Sequence, residues 1–251
     1  MPQRARRALL ALLHCATLSA CALQLPGAQD GTASHPPANA GAGVTAKPLQ
    51  ISDFAKSDVD QIAEIHLASV RAHLMTLMRK LYKRNPSQWR THNKPSEEFM
   101  VQRVFRPARV PDFVELGGRR AVPAIRLAFD DSYQGDRVLA LVAGLTEMVQ
   151  QAYGGKREFY LIDSLDPQKL YNSARNIELA AWLLRTRMDN RGTPLVLSYG
   201  IGDEATNLSF ERVFGKIISL QDTLAQIVAG RTNRTIRTVV QRMVGAVFLP
   251  I

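Results

Sequence analysis

Apolar residues recur at steps of three and four along residues 59–82, and this spacing places them on one face of a helix. Ser57 precedes the run as a candidate N-cap. Asp58 and Asp60 follow in the first turn, where carboxylates interact favourably with the helix dipole. The pattern predicts one long amphipathic helix that ends before Asn85.

The same periodicity returns in later segments, each with its own start or stop signal. Further helices are expected to follow the candidate caps Ser96, Asp136 and Asp166, and to span about residues 209–229 and 233–248. No segment shows the clear alternation of a half-buried strand. The sequence therefore predicts a mainly α fold, a single helical-bundle-like domain of about five to seven helices.

Two segments leave their structure open. Residues 107–135 are interrupted by prolines and glycines, and within them residues 121–129 could form a short strand, or an irregular or helical piece packed on the core. Residues 158–163 could form a strand or a buried helical turn.

The N-terminus has the composition of a secretory signal. Residues 1–7 contain three arginines and no acid, and the mostly apolar residues 9–20 are too few to span a bilayer as a stable helix. Leu18-Ser19-Ala20-Cys21 then resembles the lipobox of bacterial lipoproteins. Cys15 departs from that pattern because His14 precedes it. The alternative is an ordinary signal peptide in which Cys21 is incidental.

The lipobox resemblance implies that Cys21 becomes the mature N-terminus, with a diacylglyceryl thioether on its sulfur and an acyl chain on its amino group. More than one acyl chain gives stable membrane attachment. The resemblance further implies the outer membrane, facing the periplasm, because Ala22 stands where an aspartate favours retention in the inner membrane of many bacteria.

The sequence thus divides into three parts. Residues 1–20 are the expected signal peptide. Residues 21–49, rich in Ala, Gly and Pro, are expected to form a lipidated, disordered linker. Residues 50–251 are the expected helical periplasmic domain. Because Cys15 and Cys21 are the only two cysteines, that domain would contain no disulfide.

Charge limits the expected partners. The chain has 32 Lys and Arg against 22 Asp and Glu, a net charge of +10, and loss of the three signal-peptide arginines would lower it to +7. A basic surface favours lipid headgroups, acidic glycans or acidic protein faces, although basic surfaces also serve solubility alone. Nucleic acid is not an expected partner for an exported, tethered chain.

Candidate catalytic groups are the carboxylates Asp130, Asp131 and Asp163, which could serve acid–base chemistry if the fold brought them together. Turn and capping roles are the competing explanation for these acidic clusters. His66 and His73 lie seven residues apart, whereas zinc sites on a helix use spacings of three or four, so hydrogen bonding beside the core is expected. No cofactor or metal is predicted.

Two polar groups could bind other molecules or simply face solvent. Arg231, Arg234 and Arg242 would gather within one sector of the predicted final helix and form a patch for anionic partners. The polar residues of the helix after Asp166 would either form a buried network, line a groove or occupy a solvated face: Asn172, Arg175, Asn176 and Glu178.

These features favour an envelope lipoprotein whose helical domain binds or scaffolds a protein or cell-wall partner. The competing hypotheses are an envelope enzyme that uses the acidic residues and a carrier of an apolar ligand between the helices.

Overall fold

The computed structural model describes residues 56–160, 164–198, 208–238 and 245–251. Its helices are α1 (Asp58–Arg84), α2 (Ser87–Arg90), α3 (Glu97–Phe105), α4 (Ala121–Ala128), α5 (Arg137–Ala152), α6 (Pro167–Thr186) and α7 (Ser209–Thr232), with a 3-10 turn at Val114–Leu116. These described residues contain no strand, only an isolated bridge between Met188 and Pro194. The predicted mainly α domain is confirmed.

Side-chain caps set the starts of α1, α5 and α6. Ser57 and Asp60 form a reciprocal capping box at the start of α1. Asp136 accepts a hydrogen bond from the Leu139 N–H at the start of α5. Asp166 accepts one from the Gln168 N–H at the start of α6, where Pro167 is the first helical residue. Each cap satisfies an N–H group that the helix itself leaves without a partner.

Helix α5 lies at the centre of the core. Fourteen of its 16 residues are buried, as expected for a helix that is apolar around most of its circumference. Helices α4, α1 and α6 pack against it, while α7 packs against α1 and α6.

The structure decides between strand and helix for residues 121–129, because residues 121–128 form helix α4. Its backbone approaches α5 closely at Gly144, where a Cβ atom would lie 2.8 Å from the Ala121 carbonyl oxygen and 2.8 Å from the Ile125 nitrogen. Only glycine leaves room for this contact. Residues 158–160 form neither helix nor strand, and residues 161–163 lie outside the described part of the chain.

The predicted final helix over residues 233–248 is wrong in its described parts. Helix α7 continues to Thr232 and ends at Asn233, whose φ of 52° is left-handed. Residues 233–238 and 245–251 are not helical. A left-handed residue reverses the chain, as at many helix C-termini. The expected signal peptide, Cys21 and the whole expected linker lie in residues 1–55, outside the described residues.

None of the helices in the described residues combines the length and the apolar character needed to cross a membrane.

Candidate functional site

An open groove of about 550 Å³ runs between α1 and α7. It is lined by Ser69 and His73 of α1 and by residues of α7: Arg212, Gly215, Lys216, Ser219 and Leu220. A hydrogen bond joins the two helices at the lining residue Leu220, whose carbonyl oxygen lies 3.0 Å from Nδ1 of His66 on α1. Ser69 and Ser219 have short side chains and Gly215 has none, so the space above this helix pair stays unfilled.

The groove is positively charged. Arg212 and Lys216 are both exposed and lie four residues apart on α7, where like charges repel by roughly 0.2–0.5 kcal/mol. In the part of the chain that the structure describes, no acidic side chain forms an ion pair with either of them. Burial lowers the pKa of His73, and the charge of Lys216 lowers it further. At neutral pH the lining therefore has two positive charges and no negative one.

The exposed face of α1 beside the groove is uncharged. Ile65 is 64% exposed, and small residues continue along the same face at Ala68, Ala72 and Thr76. An exposed isoleucine next to small side chains offers apolar area that a flat polar surface lacks. The surface thus combines a short apolar strip with a basic edge on α7.

The polar residues of α6 point inward. Asn172 and Asn176 are buried, and Nη2 of Arg175 lies 2.6 Å from Oδ2 of Asp222 on α7 and 3.1 Å from Oε1 of Glu178. Burial raises the pKa of both Asp222 and Glu178, while the Arg175 charge opposes the shift. The alternative of a buried polar network is confirmed, and the solvated face is wrong for Asn172 and Asn176.

The predicted catalytic carboxylates have structural contacts. Oδ1 of Asp130 accepts hydrogen bonds from the N–H and hydroxyl of Ser132, which lower the pKa of Asp130. Asp131 lies 3.7 Å from Arg187 in an exposed ion pair. Asp163 lies outside the described residues, so its distance from the other two stays untested. An exposed carboxylate held ionised in a turn is a poor general acid.

The backbone of the same turn is held by Arg137. This buried guanidinium donates to the carbonyl oxygens of Asp130 at 2.7 Å and Tyr133 at 2.6 Å, with further bonds to Ala128 at 3.0 Å and Asp131 at 3.5 Å. Burial lowers the pKa of Arg137. The acidic turn is therefore a rigid connection between α4 and α5.

Neither histidine of α1 lies in a group of potential metal ligands within the described part of the chain. Among the described residues, no three His, Cys, Asp or Glu side chains are close enough together to hold a metal ion. His66 makes the hydrogen bond expected of a residue beside the core. His73 instead lines the α1–α7 groove.

Of the predicted arginine patch, only Arg231 and Arg234 lie in the described residues, so the patch as a whole stays untested. Arg231 donates to the Ser57 hydroxyl at 2.7 Å and lies 3.6 Å from the buried carboxylate of Asp60, so it joins α7 to the start of α1. Arg234 is exposed beyond the end of α7, and Arg242 is outside the described residues. Part of the expected charge is thus neutralised within the protein.

A small cavity separates residues 110–121 from α5. It has a volume of about 10 Å³, which is room for about one water molecule, and it is lined in part by Phe113, Ala143 and Glu147. Arg120 closes one side by pairing with Glu147 at 2.9 Å. This cavity cannot hold an apolar ligand of useful size.

Comparison of the chain with protein-family models, with curated proteins and with solved structures found no match. The candidate site therefore depends on its geometry alone. The sequence does contain a signal for the groove, because Gly215 interrupts a strong helix between two basic residues, Arg212 and Lys216. A glycine inside a helix costs about 1 kcal/mol relative to alanine and often has a packing or functional reason.

Proposed function

We propose that this chain is a lipid-anchored protein of the bacterial envelope whose helical domain docks an acidic helical segment of a partner protein. Cys21 provides the anchor, and residues 21–49 provide the tether. The partner segment lies in the α1–α7 groove, with its apolar side on the strip of α1 and its carboxylates beside Arg212 and Lys216.

The observation that supports this function most is the pair of exposed like charges in an open groove. Arg212 and Lys216 repel each other and have no acidic partner among the described residues. Acidic side chains four residues apart on a partner helix would match their spacing and remove the repulsion. Amphipathic helices bind grooves in this way, with apolar anchors on one face and charges at the edge.

The other two hypotheses lack a comparable observation. Asp130 and Asp131 hold the connection between α4 and α5, and catalysis by them would also need Asp163, whose position is outside the described residues. An apolar carrier needs a cavity between helices, whereas the space between α5 and residues 110–121 is about 10 Å³. We therefore favour a binding function over both.

The test uses a photo-crosslinking amino acid at the exposed position Ser219 of the full chain in living cells. We expect one recurrent cross-linked protein, attached through a segment that contains paired Asp or Glu residues. The double reversal Arg212→Glu with Lys216→Glu should reduce the cross-link at least tenfold. Replacing the partner's paired acids with lysines should then restore it.

The matched control reverses two arginines elsewhere on the surface. Arg106 and Arg109 are also exposed and three residues apart, so Arg106→Glu with Arg109→Glu changes the net charge equally. Equal loss of the cross-link in both double variants would mean that net charge alone drives the contact. An undiminished cross-link in the groove variant would overturn the proposed docking mode.

A further inference from the structure

Side-chain amides of α6 hold the C-terminal part of the chain by its backbone. Oδ1 of Asn176 accepts the Leu249 N–H at 2.6 Å, and Nδ2 of Asn176 donates to the Leu249 carbonyl at 2.9 Å. Gln168 makes the same paired contact with Arg237, accepting its N–H at 2.8 Å and donating to its carbonyl at 3.2 Å. Each of these two amides thus forms hydrogen bonds with both the N–H and the C=O of a single residue.

A third amide completes the row. Nδ2 of Asn172 donates to the Pro250 carbonyl at 2.8 Å, and Oδ1 of Asn172 accepts from Gln168 at 2.9 Å. Gln168, Asn172 and Asn176 recur every four residues on one side of α6, and we call them the amide clasp. Its hydrogen bonds to described residues outside α6 are all with main-chain atoms, so these bonds do not depend on the side chains of the bound segment.

The clasp rests on the packing of α6 against α7. Ser173 and Gln221 are fully buried behind it, and Nε2 of Gln221 donates to the Ser173 hydroxyl at 3.2 Å. Arg175 adds its ion pair with Asp222 of α7. The positions of the clasp residues are therefore fixed by the domain rather than by the segment that they hold.

The segment in the clasp is only lightly attached. No residue of 245–251 is buried, and Val247 is 65% exposed. Phe248 and Ile251 pack against the core only in part. Segments with few buried apolar contacts open at low free energy compared with global unfolding.

The local sequence of this region also favours another conformation. Ile236 and Val247 belong to a helical apolar pattern over residues 233–248, yet residues 233–238 and 245–251 are not helical. The clasp takes the N–H and C=O of Arg237, which a helix over residues 233–248 would use within itself. Two conformations compete for the same backbone groups, and the amide clasp favours the non-helical one.

The spacing of the clasp suits one continuous extended segment. Gln168 and Asn176 lie eight residues apart, which is about 12 Å along a helix. An extended chain covers that distance in about four residues. The protein's own contacts come from residues twelve apart in sequence, Arg237 and Leu249, so its C-terminal part reaches the clasp in two separate passes.

We propose that the amide clasp is a binding site for an extended segment of a partner polypeptide, and that residues 245–251 occupy its Asn172 and Asn176 positions as an intramolecular pseudo-ligand. The partner segment is read through its backbone and must displace residues 245–251 first. This inference is independent of the α1–α7 groove, because no residue that lines the groove contacts the clasp residues among the described contacts. Because residues of the same chain occupy the clasp, its apparent affinity for any partner segment is lowered.

The test measures binding of a fluorescent peptide of sequence GAVFLPI, residues 245–251, to two forms of the protein. The full chain should bind it at least tenfold more weakly than a form that lacks residues 245–251. A peptide methylated on the nitrogen that corresponds to Leu249 cannot donate to Asn176, and it should lose at least tenfold in affinity. Methylation at Val247, whose N–H has no hydrogen-bond partner among the described residues, is the matched control.

Two further probes separate backbone recognition from side-chain recognition. The scrambled peptide GVALFPI should bind within about threefold of the original. Asn176→Leu in the shortened form should abolish binding of both peptides. Equal affinity of the full and shortened forms, or equal loss for the two methylated peptides, would overturn the proposal.

If the shortened form does not fold, hydrogen exchange on the full chain tests the same proposal. Amides of residues 245–251 should exchange faster than those of α5, and excess GAVFLPI should accelerate their exchange further by holding the clasp open. If the amides of residues 245–251 exchanged only in the global unfolding that also exposes the amides of α5, the proposal would be overturned. A full-chain dimer that dissociates on deletion of residues 245–251 would also overturn it, because the occupant would then be a second copy.

Discussion

The Tyr82 hydroxyl of α1 donates a hydrogen bond of 2.7 Å to Oδ2 of Asp136, the residue that caps α5. Oδ1 of the same carboxyl accepts the Leu139 N–H at 2.8 Å. Both partners are buried, so the contact fixes the longest helix to the start of the central one. Burial raises the pKa of Asp136 to about 6, while the bonds from Leu139 and Tyr82 act in the opposite direction.

The first prediction concerns Asp136→Asn. The folded protein binds a proton at Asp136 below about pH 6, whereas the unfolded chain does so only below its ordinary value of 3.8. The free energy of unfolding should therefore fall as pH rises through this window, by up to about 3 kcal/mol from this group. Asparagine keeps the cap and cannot ionise. Urea unfolding at pH 4.5 and 7 should show a smaller fall for the variant, and an unchanged fall would contradict the assignment.

The second prediction concerns Tyr82→Phe. The change leaves the buried carboxylate of Asp136 with one donor fewer, so we expect a loss of roughly 1–3 kcal/mol of stability at pH 7. Because the Tyr82 bond lowers the pKa of Asp136, the variant should also move this pKa further upward. Tyr160→Phe is the control, since the Tyr160 hydroxyl bonds the exposed Glu158 and its loss should change stability by less than about 0.5 kcal/mol. Similar losses of stability in the two variants would show that the buried Tyr82–Asp136 bond contributes no more than the exposed Tyr160–Glu158 bond.

The third prediction concerns Arg137→Lys. A lysine keeps the charge but lacks the forked guanidinium that bonds four carbonyls of residues 128–133. Carbonyls left without donors should lower the free energy of unfolding by roughly 2–3 kcal/mol. Arg119→Lys on the exposed surface should be nearly neutral. Chemical denaturation of both variants measures the difference, and a neutral Arg137→Lys would mean that the turn does not need this anchor.

Helices α1, α5 and α6 carry their own start signals, whereas α7 was predicted from its apolar periodicity and has no side-chain cap. Ser57, Asp136 and Asp166 are followed by strong apolar periodicity, and a cap acts only on N–H groups within three residues. Such signals are local, so the sequence alone contains them. Helix α4 has no side-chain cap and contains Pro123, so the sequence of residues 121–129 left a short strand, an irregular piece and a helical piece open.

The errors arise from contacts between distant residues. Residues 233–238 have helical periodicity, but Asn233 turns the chain and Gln168, 69 residues away from Arg237, takes its backbone groups. The inward direction of Asn176 likewise depends on Leu249, 73 residues away. Nothing in the periodicity of either segment specifies its partner. The groove was missed because it needs the packing of α1 against α7 as well as the residues of α7.

The fourth prediction concerns Cys21→Ala. If Cys21 is the lipidated N-terminus, the variant should remain as an unlipidated precursor or appear as a form released from the membrane fraction. Cys15→Ala should leave lipidation intact, because His14 breaks the lipobox pattern at that position. Membrane fractionation with mass spectrometry of the N-terminal peptide provides the measurement. Normal processing and firm membrane attachment of Cys21→Ala would contradict the proposed anchor.

The last prediction compares two helical glycines. Gly144 lies where α5 meets α4, and a Cβ there would be 2.8 Å from the Ala121 carbonyl oxygen, a distance that real Cβ contacts do not reach. Gly144→Ala should therefore force the two helices apart and cost roughly 1–3 kcal/mol. Gly230 in α7 has nothing within 4 Å of its added Cβ.

Gly230→Ala should accordingly stabilise the protein by up to about 1 kcal/mol, because alanine favours the helix more than glycine does. The two variants add the same methyl group, so opposite signs in thermal or urea unfolding isolate the effect of the contact between α4 and α5. If Gly144→Ala also stabilised the protein, residues 121–128 would have to pack less closely on the central helix than the structure places them.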